Sequence, residues 1–326
     1  MRPPMTPESL SKLLATLSRL SAEELLSAKD IIAKRSRDVE CSLVIKEAEK
    51  AMSSCPHCGH DKFSKFGTKD GRQRFRCKSP DCMKTFNALT GTPVARLRMA
   101  EKHIDHGTAI ADRVSVRDSA RRLGIAVSTA FRWRHRFLVA GRDSQPPMLS
   151  GLVEADETFF LESFKGQRKD LPRPAKVRGT PAKKPGLSAE QIPVLVARDR
   201  SSGATLTARV ASRSAKDIGA VLRPVLSKDS LLVSDGARAY SVIAKEKGVE
   251  SKRVKAKTKK AGIYHINNVN AYDSRLKGWM YDFHGVATKY LPNYLGWHRM
   301  MDNKQAYVSG QTLVAAMLRY KKRPVR

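Results

Sequence analysis

Two groups of residues in this 326-residue chain have the types and spacing of chemical sites. The first is Cys55-Pro56-His57-Cys58, followed after 18 intervening residues by Cys77 and Cys82. Each pair is close enough along the chain to turn two thiolates onto one ion, and four sulfurs complete the tetrahedral shell of a structural zinc. His57 and His60 are competing ligands, but the cysteines already satisfy the coordination number. The segment has too few large apolar residues to fold alone, and metal binding would supply the missing folding free energy. Cys41 stands apart, and this cysteine usage fits a metal site in a reduced intracellular compartment better than a disulfide framework.

The second group is acidic. Asp156 lies in the apolar run Leu152 to Phe160, and Asp235 ends the run Leu231 to Ser234. Both runs have the length and composition of short strands. They stand in a chain with 62 Lys+Arg against 31 Asp+Glu and a formal charge of +31, a field that attracts a polyanion at long range. Carboxylates on strands of such a protein imply a divalent-cation site for cutting or joining nucleic acid, since the cation neutralises acids that would otherwise repel phosphate. Glu154 and Glu157 compete with Asp156; on a strand Glu154 shares its face and Glu157 points the other way. Gly236 permits a sharp exit after Asp235.

Several elements must position these groups. Leu10, Leu13, Leu14, Leu17 and Leu20 form a helical stripe, and Ser21 with Glu24 forms a capping box that opens a second helix. Nothing chemical shows in these first fifty residues, and they read equally as a packing module or a protein contact. From Val114 to Leu138 the pattern is helix, tight turn at Gly124, helix, with Ser128 as the expected N-cap of the second helix. That helix would carry Arg132, Arg134 and Arg136 towards DNA as a helix-turn-helix, and Ser128 belongs to the same candidate DNA-binding set. Beyond residue 148 strands and helices alternate: Leu152 to Phe160, a hairpin of Ile192 to Arg198 and Ala204 to Val210, a helix from Ser214 to Leu226, then Leu231 to Ser234. Three strands, a helix and a strand describe a ribonuclease H-like α/β layer. Residues 165–185 hold eight Lys/Arg and four Pro against one Asp, and 252–260 add six more Lys/Arg. The first of these cannot bury apolar surface and reads as a loop ordered by DNA. No run approaches the length of a membrane span.

The fold class expected is therefore multidomain: N-terminal helices over 1–50, a zinc ribbon over 51–92, a helix-turn-helix over 93–147, a ribonuclease H-like catalytic domain over 148–310 and a basic tail over 311–326. With the motif Tyr264-His265-Ile266-Asn267-Asn268-Val269-Asn270-Ala271-Tyr272-Asp273-Ser274-Arg275-Leu276-Lys277 and the later His284-Gly285-Val286-Ala287-Thr288-Lys289-Tyr290-Leu291, residues 50–300 resemble the DDE-type transposases of bacterial insertion sequences, in the ISXO-like branch with an N-terminal zinc ribbon. The resemblance implies catalytic positions at Asp156, Asp235, Asn270 and Lys277. The first three would hold Mg²⁺ or Mn²⁺, with asparagine in place of the usual glutamate. Asn270 also reads as the N-cap of a helix starting at Ala271, and Asn267, Asn268 and Asp273 are rival ligands. The resemblance implies 3′-end cleavage and joining of double-stranded DNA by two-metal phosphoryl transfer in an assembly of at least two copies. A DNA-binding regulator with a non-catalytic transposase-like domain and a nuclease of the same fold are the alternatives.

Overall fold

The computed structural model describes residues 6–167, 169–175, 188, 190–254, 263–302 and 308–320. In chain order the elements are α1 (Pro7–Leu17), α2 (Ala22–Lys50), β1 (Phe63–Lys69), β2 (Arg72–Cys77), β3 (Thr85–Phe86), α3 (His103–Ala111), α4 (Val116–Leu123), α5 (Val127–Asp143), β4 (Leu152–Leu161), β5 (Gln191–Asp199), β6 (Thr205–Arg209), α6 (Ala215–Leu222), β7 (Leu231–Ser234), α7 (Arg238–Lys247), β8 (Glu250–Arg253), α8 (Asn267–Tyr281), α9 (Leu291–Asp302) and α10 (Gly310–Arg319). They form two compact units. The first contains residues 1–114, 119–125 and 309–326, and the second 115–118 and 126–308. This division differs from the expected one: α5, the second helix of the helix-turn-helix, packs in the same unit as the strand acids, and residues 310–319 form a helix of the first unit rather than a tail.

In the first unit α2 opens with the expected reciprocal cap, Ser21 Oγ accepting from Glu24 N while Glu24 accepts from Ser21 N at 2.8 Å. α1 buries none of its residues. α10 packs on α2 and α3, where Gly107 and Gly310 let the backbones meet; a Cβ on Gly107 would lie 2.8 Å from the Gly310 carbonyl oxygen. Cys41 is buried in this packing and donates to the Ala100 carbonyl at 3.1 Å. The strands β1, β2 and β3 form a small antiparallel sheet, with Phe63, Phe75 and Phe86 packed around the cysteines.

The second unit is built on a five-stranded sheet in the order β6-β5-β4-β7-β8. β4, β5 and β6 are antiparallel neighbours, whereas β7 and β8 run parallel to β4. The β5–β6 hairpin turns at Asp199, whose carboxylate accepts from the Ser201 and Ser202 amides, and at Gly203 with φ of +71°. The inner strands are largely buried and close a core with α6 and α7, including Val153, Leu195, Ile218, Leu222, Leu232, Tyr240 and Ile243. Strands buried on both faces read as continuous apolar runs, which is why β4 and β7 were legible. α5 crosses α9 at Gly141 and Gly296, where a Cβ on Gly296 would run into the α5 backbone at Gly141 and Arg142. Among the described residues no helix is long and apolar enough to cross a membrane.

Candidate active site and metal-binding cluster

β4 and β7 pair in parallel, with Ala155 opposite Ser234, so Asp156 and Asp235 each follow the last paired residue of the ladder. Adjacent parallel strands thus bring two acids 79 positions apart to one end of the sheet. Asp235 is exposed and accepts from the Ala237 amide at 3.0 Å, and the intervening Gly236 takes φ of +95°, a left-handed conformation that only glycine adopts at low cost. Asp156 is half-buried and accepts from the Glu157 amide at 2.8 Å. Burial, with the charges of Asp235 and Glu157 adding to it, pushes the Asp156 carboxyl up to about 6 against the opposing hydrogen bond and Arg213.

The competing acids have other partners. Glu157 points to the opposite face, where it accepts from Tyr240 Oη at 2.7 Å and Arg213 Nε at 2.8 Å. Glu154 is fully buried and accepts from the Asn268 amide at 2.8 Å, the Val269 amide at 3.1 Å and Asn268 Nδ2 at 2.7 Å. Arg200 Nε adds a contact at 2.9 Å, and Arg200 also binds the carbonyl oxygens of Ile263 and His265. Glu154 is therefore an N-terminal cap for α8 supplied by a strand 114 residues earlier, its charge matched to the positive end of the helix. At the other side of α8, Arg275 binds both oxygens of Asp302 at 2.7 and 3.1 Å, and Arg198 from β5 joins the same carboxylate at 3.0 Å.

This anchoring corrects one expectation. α8 starts at Asn267, with Ile266 in the N-cap position, so Asn270 lies in the first turn and is not the cap of a helix beginning at Ala271. Asn270 is exposed and its amide donates to the Ile266 carbonyl at 3.0 Å. Lys277 lies two turns further along the same face, also exposed. Between them Asp273 is buried, pushed up to about 7 by desolvation and by the charge of Asp156, with Lys277 acting in the opposite direction. The structure thus brings Asp156, Asp235, Asp273 and Lys277 into one electrostatic group, with Asn270 on the same helix. The donor set of carboxylates and one amide oxygen suits a hard divalent cation, and a buried, unpartnered Asp273 Oδ1 is the kind of orphan such an ion would satisfy.

The cysteines form a tighter cluster. The four sulfurs lie within 4.8 Å of one another, and among the described residues no other group of three or more His, Cys, Asp or Glu does so. Cys55 and Cys82 Sγ are 3.9 Å apart and Cys58 and Cys77 Sγ 3.6 Å, close to the edge of about 3.8 Å expected for tetrahedral zinc with thiolates. His57 rests edge-on against Phe86 and His60 sits beside Asp61, neither within the cluster. On the same small sheet Phe66 is 43% exposed beneath the guanidinium groups of Arg74 and Arg76, at 5.6 and 5.4 Å. This basic aromatic face was not singled out from the sequence; its signal was an aromatic inside the strand Phe63 to Lys69 that alternation alone would leave exposed.

The arginines of α5 do not act as one set. Arg132 is exposed, whereas Arg134 is 1% exposed, hydrogen-bonds Tyr294 and lies over the Trp297 ring at 5.5 Å. Successive even positions on a helix are about 200° apart, so Arg132 and Arg134 cannot share a face. Arg136 is half-buried. Ser128 lies inside α5 and caps nothing; the N-cap position is Ala126, which offers no side-chain bond. The basic segments over 176–187 and 255–262 fall outside the described residues.

An acid on each of two adjacent parallel strands thus stands near a helix that packs on β4 and carries Asn270, Asp273 and Lys277. Residues 148–298 match the family model of the ISXO2-like transposase domain. An uncharacterized protein in transposable element ISH50 of Halobacterium salinarum is 28% identical over 246 residues, 74% of this chain and 82% of that one. Solved structures with some likeness include a simian T-cell lymphotropic virus intasome bound to PP2A regulatory subunit B56 gamma. It has 10% identity and a TM-score of 0.29, over 59% of this chain and 66% of that one, just under two thirds. A pre-cleavage Mos1 transpososome has 13% identity and a TM-score of 0.21, over 66% and 79%. TM-scores this low carry no weight for the fold.

Proposed function

We propose that this chain is a transposase that binds the ends of its own insertion sequence, cleaves the DNA to expose a 3′-OH and joins that end to target DNA. The observation that carries this reading is the parallel pairing of β4 with β7, which sets Asp156 and Asp235 side by side beneath α8. Mg²⁺ or Mn²⁺ bound there supplies activation of the attacking oxygen and stabilisation of the leaving one. Asp156 and Asp235 hold the cations, and Asn270 adds an uncharged oxygen ligand. Lys277 binds a phosphate of the DNA end. Glu154 and Asp302 fix α8 so that these groups keep their places. The sheet, three antiparallel strands followed by two parallel ones, supports a ribonuclease H-like catalytic domain. Cys55, Cys58, Cys77 and Cys82 hold a structural zinc in a ribbon that presents Phe66, Arg74 and Arg76. Double-stranded DNA is the partner, contacted also through Arg132, by at least two copies of the chain acting on paired ends.

The test is cleavage of linear DNA carrying the element's own ends, with and without Mg²⁺. Wild type should give a 3′-OH at the element end and joined products, and Asp156→Asn or Asp235→Asn should abolish both while end binding remains. Cutting without joining would indicate a nuclease, binding without cutting a regulator, and cleavage by both variants would move the active site elsewhere.

A further inference from the structure

The other buried acids in the second unit are engaged. Glu154 receives the α8 amides and Arg200, Glu157 receives Tyr240 and Arg213, and Asp199 closes the β5–β6 turn. Asp273 is different. It is 8% exposed, and among the described residues its Oδ1 has no hydrogen-bond partner. It lies on α8, which packs on β4, three residues after Asn270 and four before Lys277, so the three side chains share one face. A buried carboxylate oxygen without a partner is unfavourable unless something outside the protein itself completes it.

We propose that Asp273 is an additional carboxylate ligand of the catalytic divalent cation, supplying the negative charge that Asn270 lacks; this rests on the reading above that Asp156 and Asp235 hold such a cation. Asp156 and Asp235 provide two charges and the Asn270 amide none. With Asp273 the site regains three carboxylates, placed one helical turn from the position where the resemblance sets its third ligand. Cation affinity in oxygen sites rises with the number of charged ligands.

The experiment is Mn²⁺ binding to the full-length protein, followed by calorimetry or by the electron paramagnetic resonance of free Mn²⁺, alongside thermal unfolding without added Mn²⁺. Asp273→Asn, isosteric and uncharged, should weaken Mn²⁺ binding by about tenfold or more while leaving the ion-free unfolding midpoint equal or higher, because a repulsion with Asp156 is removed. Adding Asn270→Asp to that variant should recover much of the affinity by returning the charge to the same helix face. Unchanged Mn²⁺ affinity in Asp273→Asn, or a variant that unfolds or is destabilised, would make Asp273 a structural acid and overturn the proposal. Asp156→Asn separates the two levels of inference. If it weakens binding and Asp273→Asn does not, only Asp273 is wrongly assigned; if neither does, the cation site itself is misplaced and both readings fall.

Discussion

Asp156 and Asp273 are held where ionisation is unfavourable, the first at about 6 and the second at about 7, burial being the main cause for each. Both folded values lie above the roughly 4 of an unfolded aspartate, so each group binds protons more readily in the folded chain. Their contribution to stability is full below about pH 4 and is lost as pH rises through the folded values. A divalent cation held by these acids would bind their ionised forms, so protons and Mn²⁺ would compete for the same oxygens. Without added cation the chain should therefore lose stability between about pH 5 and pH 8, and added Mn²⁺ should stabilise it more at the upper end than at the lower. Unfolding midpoints recorded with and without Mn²⁺ across that range test this, and the difference between the two series removes the contribution of other titrating groups. A stabilisation independent of pH would show that neither acid meets the ion.

At the scale of elements, the position of α8 is set from a distance, and Glu154 is the residue that sets it. Glu154→Ala would leave the half-buried Arg200 without its carboxylate and orphan the Asn268 and Val269 amides, at a cost of about 3 kcal/mol. Glu154→Gln keeps one oxygen acceptor and should cost less. Urea unfolding measures both, and an Ala variant as stable as wild type would mean that the first turn of α8 is held by other contacts. The same residue explains what the sequence left illegible. β4 and β7 were readable because buried strands are apolar runs of limited length, and α2 because its capping residues are three positions apart in the chain. The start of α8 was not readable: an asparagine before Ala271 looks like a local cap, whereas the actual cap comes from a strand 114 residues away, which no local pattern reports. Asp156 and Asp235 could be picked out as strand acids in a basic chain, and the resemblance separated Asp156 from Glu154. Asp273 remained one of several rivals because burial, which distinguishes it from Asn267, Asn268 and Asn270, is a property of the packed sheet and helix.

For the whole molecule the dominant quantity is the charge of +31, which would make the proposed association with DNA a counterion-release reaction. If the assembled complex neutralises at least about six phosphates per chain, log affinity should fall with log salt at a slope near −5, and affinity should drop roughly a thousandfold between about 50 and 200 mM. The burial pattern of α5 divides its arginines under this test. Arg132 is exposed, and Arg132→Ala should make the slope shallower by about one while stability is unchanged. Arg134 lies over Trp297 and hydrogen-bonds Tyr294, so Arg134→Ala should leave the slope alone and lower stability by about 2 kcal/mol. Filter binding or fluorescence anisotropy over a salt series gives the slopes, and denaturant unfolding gives the stabilities. Should Arg134→Ala flatten the slope at unaltered stability, its guanidinium reaches DNA after all and α5 must release it from Trp297 on binding. A slope near zero for the wild-type chain would instead mean that its charge is not directed at the phosphate backbone, and the DNA reading would have to rest on base contacts alone.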